Sequence, residues 1–240
     1  MRKSIQTINE YIKEVSIFLK YILLKNKSEE FFIILKGSLQ SKEFSLFKKI
    51  KISVLYFNKI NSKSYNSFFE SLIQKEKSAP LKEVLDLACG YGDFFLFLKN
   101  NHPEISYTGI DISNDKSIIW RYLIKSYPEF KINFLNKDIL KFVKDPLSNY
   151  NLIICLNTIM YFQDYPTFLE NIFKNSKKEA NFIISFSTPT KPQLSDHKHG
   201  PIKITKDLFQ KQVIKIGFRI IDSFEFPLSD GTINTYFMKK

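Results

Sequence analysis

Asp86, Gly90, Gly92 and Asp111 are the residues whose types and spacing could do chemistry. Asp86 lies within a short apolar run with Val84, Leu85 and Leu87, Gly90 and Gly92 bracket Tyr91 just beyond it, and Phe94, Phe95, Phe97 and Leu98 follow. Strand, glycine turn and helix in that order make a nucleotide-binding crossover. Glycine lets the backbone take φ > 0 and lets a ligand approach main-chain N–H groups closely. The start of the helix adds unpaired donors and a partial positive charge. Two ligand classes use such a turn. A dinucleotide fingerprint, G-x-G-x-x-G, needs a third glycine for close helix packing over a pyrophosphate, and Phe95 stands at that position. An acidic Asp86 ahead of the turn would also repel a pyrophosphate. Both features count against NAD or FAD, whereas an anion there suits a ligand with cationic ammonium and sulfonium groups.

These residues need a scaffold that brings the ends of several strands together. From residue 81 onward the chain alternates between strand and helix patterns, which predicts a parallel sheet with right-handed crossovers. Strands are expected at Val84–Leu87, Ser106–Asp111, Ile132–Leu135, Asn151–Leu156 and Asn181–Ser187. Helices are expected at Tyr91–Lys99, at about Asp115–Tyr127, at Tyr165–Asn175 and at Thr205–Ile216 with Thr205 as N-cap. Arg219–Phe226 and Ile233–Met238 are separated by a short turn containing Ser229, Asp230 and Gly231, the pattern of an antiparallel hairpin. Ahead of this region, apolar residues at Ile5, Ile8, Ile12, Val15, Leu19 and Ile22 have one-sided helical spacing. Residues 29–36 and 42–60 also read as helical, and Tyr65–Gln74 as a last short helix before Pro80 breaks the chain.

The segment Asp86-Leu87-Ala88-Cys89-Gly90-Tyr91-Gly92 resembles the D-x-x-C-G-x-G signature of class I S-adenosylmethionine-dependent methyltransferases. A parallel sheet closed by an antiparallel hairpin is also the arrangement of that superfamily, so the resemblance spans about residues 65–240. It implies an α/β fold with a Rossmann-like, mostly parallel seven-stranded sheet ending in an antiparallel hairpin. It further implies a division into a helical N-terminal arm, residues 1–64, acting as a lid, and an S-adenosylmethionine-binding domain, residues 65–240.

In that family Asp86, Ala88, Gly90 and Gly92 would border the cofactor. Asp111, 21 residues beyond Gly90 at the end of the second strand, would accept hydrogen bonds from both ribose hydroxyls, with Ile112 against the adenine. Asp138 and the backbone of Ile139 would read the adenine amino group. The plainer reading of both aspartates is a helix cap. Asn157, after the fourth strand, would touch the methionine part, and the chain would then face the acceptor at Tyr161. Many relatives carry an acidic residue at the first of these positions and a histidine at the second, so an acid–base role does not transfer to Tyr161, which reads equally as a packed aromatic. His197 and His199 lie in the loop after the fifth strand, which borders the acceptor pocket in this fold; His102, before Pro103, reads as part of a surface turn. The segment lacks the Asn/Asp-Pro-Pro-Tyr/Phe grip of amino-methylating DNA and protein enzymes, and neither cysteine has the Pro-Cys or Thr-Cys context of C5-pyrimidine methylation. The expected reaction is therefore methyl transfer from S-adenosylmethionine, releasing S-adenosylhomocysteine, to an O, N or C atom of a small-molecule acceptor.

Composition sets outer bounds. At 240 residues and 44% hydrophobic content the chain can bury one sizeable core plus an accessory segment. Cys89 and Cys155 are the only cysteines, which excludes a disulfide framework, a zinc-ligand pattern and the cysteine triplet of radical chemistry, and points to a reducing, cytoplasmic compartment without a bound metal. No signal peptide is evident, and the most apolar early run, Val15–Leu24, contains Lys20 and is too short to span a bilayer. Net charge is +12, and 33 of the 36 basic residues are lysine. Residues 1–80 hold 15 basic and 7 acidic side chains, so most of the excess lies in the arm. That reads as a solvated helical face or as attraction for nucleic acid, a membrane surface or an anionic substrate. The alternative reading is an RNA-binding methyltransferase-like module, catalytic or not, against which scarce arginine and the absence of an RNA-binding motif count; a nicotinamide-dependent oxidoreductase is disfavoured further by Asp86, Phe95 and the terminal hairpin.

Overall fold

A computed structural model describes residues 67–72, 82–102, 104–189, 201–228 and 231–240. The expected arm helices before residue 67, His197 and His199 lie outside the described residues. Residues 67–72 are helical. The chain then runs β1 (Glu83–Leu87), α1 (Asp93–Asn101), β2 (Ser106–Asp111), α2 (Asn114–Ser126), β3 (Lys131–Asn136), α3 (Ile139–Phe142), β4 (Leu152–Cys155), a 3-10 turn (Ile159–Tyr161), α4 (Tyr165–Asn175), β5 (Asn181–Pro189), α5 (Lys206–Ile216), β6 (Arg219–Leu228) and β7 (Gly231–Lys239). The strands form one seven-stranded sheet in the order β3-β2-β1-β4-β5-β7-β6. β1 to β5 are mutually parallel, with Asp86 in register with Gly109 on one side and Ile154 on the other. β7 runs antiparallel to both β5 and β6. The expected terminal hairpin is present, but its second strand is inserted between β5 and the first.

Strand alternation divides the core into two layers. Val84 and Tyr107 face one side with Phe94, Phe95 and Leu98 of α1, Trp120 and Leu123 of α2, and Phe68, Phe69 and Leu72 of the helical segment 67–72. Leu85, Leu87, Ile110, Ile153 and Cys155 face the other, under Phe168, Leu169 and Ile172 of α4 and Phe209 and Val213 of α5. The central strands are buried on both faces, which is why they read as near-continuous apolar runs. β3, at the edge, alternates exposed and half-buried positions instead.

Local signals stop and start the helices that frame this sheet. The Asp164 carboxylate accepts from the Thr167 N–H at the start of α4, and the Thr205 hydroxyl accepts from the Leu208 N–H at the start of α5. Gly217 ends α5, its N–H bonding back to Val213 and Ile214 carbonyls. The helix expected from Tyr91 begins at Asp93, because residues 88–92 are spent on the turn that leaves β1.

Candidate active site at the carboxyl ends of β1, β2 and β4

Strand order reverses between β1 and β4, since β2 lies on one side of β1 and β4 on the other. Crevices outside such a switch point are where open α/β sheets bind ligands. Both strands leave the sheet through left-handed residues there, Ala88 at φ 63° and Asn157 at φ 51°. Non-glycine residues at positive φ cost energy and persist where surrounding structure holds them. Here the Cys89 N–H donates to the Ile110 carbonyl at 3.0 Å, and the Asn157 N–H is held by both the carbonyl and the hydroxyl of buried Ser185, each at 3.0 Å.

The two turn glycines do different jobs. Gly92, at φ 86°, is packed against the core: a Cβ there would lie 2.8 Å from Leu123 Cδ1 and 3.1 Å from Trp120 Cζ2. Gly90, at φ 59°, faces open space, and a Cβ there would meet nothing within 4 Å. The Gly90 carbonyl is pinned from below by Trp120 Nε1 at 3.0 Å. The turn therefore presents bare backbone towards the crevice while its underside is fixed.

Three carboxylates surround the turn. Asp86 is buried, and Tyr107 donates its hydroxyl proton to Asp86 Oδ2. Gly109, the register partner of Asp86, has no room for a side chain, since a Cβ would lie 2.8 Å from Cys89 Sγ. Burial pushes the Asp86 carboxyl up to about 7; the Tyr107 hydrogen bond works against that rise, and Asp93 and Asp111 add to it. Burial likewise raises the Cys89 thiol well above its ordinary value, so it is held as an inert thiol. Asp111 closes the site on the β2 side. Its Oδ2 accepts from the Gly90 N–H at 3.2 Å and from Lys116 Nζ at 3.0 Å, and its Oδ1 accepts from the Ser113 N–H at 3.0 Å. The Asp111 carbonyl is held by Asn136 Nδ2 at 3.0 Å. Ile112 beside it is 66% exposed, an unusual placement for isoleucine.

Asp138 and Ile139 follow β3. Asp138 Oδ1 accepts from the Leu140 N–H at 2.9 Å, which makes it the N-cap of α3, while Ile139 is buried in the second core layer. The capping alternative is thus realised at Asp138. It is not realised at Asp111, where the residue preceding α2 is Ser113 and the aspartate accepts that residue's N–H instead. Asn157 Oδ1 is buried without a hydrogen-bond partner among the described residues. Tyr161 is half-buried against the second core layer, and the neighbouring Met160 carbonyl accepts from the Ile202 N–H at 2.8 Å, tying the segment after the fifth strand to the segment after β4. His102 departs from its expected surface turn: it is the C-cap of α1, half-buried, its N–H donating to the Leu98 carbonyl at 2.7 Å.

Residues 57–211, more than half of the chain, match the family model described as a methyltransferase domain. The chain belongs to the methyltransferase-domain family. Among solved structures, an S-adenosylmethionine-dependent methyltransferase from Clostridium acetobutylicum superposes with a TM-score of 0.59 at 15% identity, covering 79% of this chain and 97% of that one. Magnesium protoporphyrin IX methyltransferase from Synechocystis, solved with bound S-adenosylhomocysteine, gives 0.57 at 14% identity over 87% of this chain and 93% of that one. The [4+2]-cyclase SpnF gives 0.61 at 11% identity, over 73% and 81%. At such identities the likeness is one of fold, and the cyclase shows that the fold serves more than one reaction. A search of curated proteins found no match.

The methyltransferase domain has the class I fold that the resemblance of the Asp86–Gly92 segment implies, with its seven-stranded arrangement. Its fold brings Asp86, Ala88, Gly90, Gly92, Asp111, Ile112 and Asn157 to one edge of the sheet. Sequence reading missed the residues that hold them: Tyr107, Lys116, Trp120, Asn136 and Ser185. Trp120, the only tryptophan of the chain, and the alternation that puts Tyr107 on one face of β2 with Asp111 were the signals available. Among the described residues no cluster of metal-ligating side chains occurs, and no helix is long and apolar enough to cross a membrane.

Proposed function

We propose that this methyltransferase holds S-adenosylmethionine across the carboxyl ends of β1, β2 and β4 and transfers its methyl group to an O, N or C atom of a small-molecule acceptor. The observation that carries this reading is the open space over Gly90, flanked by Asp86 and Asp111 at the switch point of the sheet. The residues present fit the cofactor. Bare backbone at Gly90 admits the ligand, Ala88 and Gly92 shape the turn that borders it, Asp111 receives the ribose, and exposed Ile112 offers an apolar surface for one face of the adenine. Asp138, with its second oxygen, and the Ile139 backbone read the adenine amino group. Asp86 and the unpartnered Asn157 Oδ1 face the methionine end, where a cationic ligand favours the ionised form of Asp86.

The cofactor supplies a methyl group already activated by a sulfonium, so the protein's task is to hold the acceptor in line and keep water out. A base is required only where the acceptor is a poorly acidic hydroxyl. Tyr161, together with His197 and His199 from the loop after the fifth strand, is assigned to the acceptor side, and the N-terminal arm, residues 1–64, to covering it. A small acceptor is favoured over nucleic acid by the absence of a base-gripping motif after β4 and by the scarcity of arginine. The test is mass spectrometry of ligands that co-purify with the protein, followed by assays with methyl-labelled cofactor on small acceptors and on RNA. Co-purified S-adenosylhomocysteine and label in small acceptors alone are expected. A dinucleotide in the purified protein, or label transferred to RNA alone, would overturn the reading.

A further inference from the structure

We propose that Lys116 is a built-in occupant of the ribose site: its ammonium holds one acceptor position of Asp111 in the free enzyme and yields it when the nucleoside part of the cofactor binds. The inference rests on the reading of Asp111 as the ribose acceptor. A carboxylate has two oxygens and about four lone-pair positions. In Asp111 three are taken: Oδ2 by the Gly90 N–H and Lys116 Nζ, Oδ1 by the Ser113 N–H. One position remains, and a pair of ribose hydroxyls needs two. The backbone donors belong to the turn and to the start of α2 and cannot leave without unfolding them. Lys116 can, because its flexible side chain is 30% exposed whereas that of Asp111 is 5% exposed.

The placement of Lys116 supports a role tied to Asp111. It is the third residue of α2, where the helix dipole disfavours a cation. Its compensation is the buried carboxylate, which without a cation would face only two amides while the Asp86 carboxyl interacts with it unfavourably. A place for the displaced ammonium exists beside the Tyr91 ring, whose centroid is already 6.0 Å away. Lys116 thus shields Asp111 in the free enzyme and sets the affinity for the nucleoside, which gains only the difference between its own hydrogen bonds and the ion pair it breaks.

Two variants of the full chain test this by isothermal titration with S-adenosylhomocysteine and by thermal melts without ligand. Lys116→Met removes the competitor, so binding should tighten about 3- to 10-fold, the range of a partly exposed ion pair, while the ligand-free Tm falls. A merely structural lysine would lower Tm without tightening binding. Lys116→Arg places a forked, more firmly held cation on the carboxylate, so binding should weaken by a similar factor with the fold retained. The gap between wild type and Lys116→Met should narrow as salt is raised, because salt screens the pair. Binding to Lys116→Met that is unchanged or weaker overturns the proposal; if that variant does not fold, unweakened binding to Lys116→Arg overturns it. Asp111→Ala separates the two readings: if it binds as tightly as wild type, the ribose assignment fails and the exchange with it, whereas if it weakens binding and Lys116→Met does not tighten it, only the exchange fails.

Discussion

At the scale of single residues, Asp111 and Asp86 carry opposite kinds of expectation. Hydrogen bonds to a charged group contribute about 1.5–3 kcal/mol each. With water and Lys116 competing, Asp111→Ala should cost about 2–4 kcal/mol of affinity for S-adenosylhomocysteine, roughly 30- to 1000-fold in Kd. A titration showing unchanged Kd in a folded variant would sink the ribose assignment. Asp86 is a matter of pH. Burial raises its carboxyl from an ordinary 3.8 to about 7 in the folded protein. The folded state therefore binds more protons between those values, and stability falls as pH rises from about 4 to about 7 and is flat above. A rise of about three pKa units corresponds to a loss on the order of 4 kcal/mol. Other carboxylates titrate in the same window, so the measurement is a difference. Urea unfolding of ligand-free wild type and Asp86→Asn at pH 5 and pH 7.5 should show the variant gaining relative stability at the higher pH. Parallel pH dependence in both proteins would mean that Asp86 is ionised in the folded state.

At the scale of the element, the turn between β1 and α1 is built from two glycines of unlike purpose. Gly92→Ala meets Leu123 and Trp120 at 2.8 and 3.1 Å and also carries the strain of φ 86°, so it should destabilise the ligand-free protein by about 2–4 kcal/mol. Gly90→Ala meets nothing and should cost only the left-handed strain, about 1–2 kcal/mol, yet its methyl group would project into the crevice and weaken cofactor binding at least tenfold. Thermal melts and ligand titrations of the two variants separate these roles; equal effects on stability and affinity at both positions would refute the division. Phe95 belongs to the same element. It is fully buried among Tyr107, Trp120, Tyr127 and Phe130, so the position where a dinucleotide fold needs glycine is here a core anchor, which is the structural counterpart of the reading against NAD or FAD.

At the scale of the whole molecule, ligand and fold are coupled because the crevice exists only when β1, β2 and β4 are aligned. S-adenosylhomocysteine at about 100 times its Kd should add about 2.7 kcal/mol of stability, which at about 2–4 °C per kcal/mol for a protein of this size raises Tm by about 5–10 °C. Scanning calorimetry with and without the ligand, and with NAD as a control, checks this; a shift with NAD and none with S-adenosylhomocysteine would contradict the cofactor assignment. Of the +12 net charge of the chain, residues 1–80 carry 15 basic against 7 acidic side chains.

Most strand and helix positions from residue 82 onward were legible in the sequence, the short α3 and the 3-10 turn excepted, because each longer element carries its own local signal: β-branched and apolar runs for the buried strands, Thr205 and Gly217 at the ends of α5, glycines where β1 turns. So was the ligand class, since Asp86, Gly90, Gly92 and Phe95 lie within ten residues and their meaning depends on backbone conformation and charge alone. Strand order was not legible, because the pairing of β7 with both β5 and β6 is a contact between segments far apart in the chain that their composition does not encode. The partners of the site residues were equally hidden. Tyr107 reaches Asp86 only because β2 pairs in parallel with β1, and Trp120 and Lys116 meet Gly90 and Asp111 only because α2 packs back over the β1 turn. Those arrangements set the protonation of Asp86 and the occupancy of Asp111, and they were decided by tertiary packing: burial and proximity in space, not residue type, determine whether a carboxylate is ionised and which of its lone pairs are already in use.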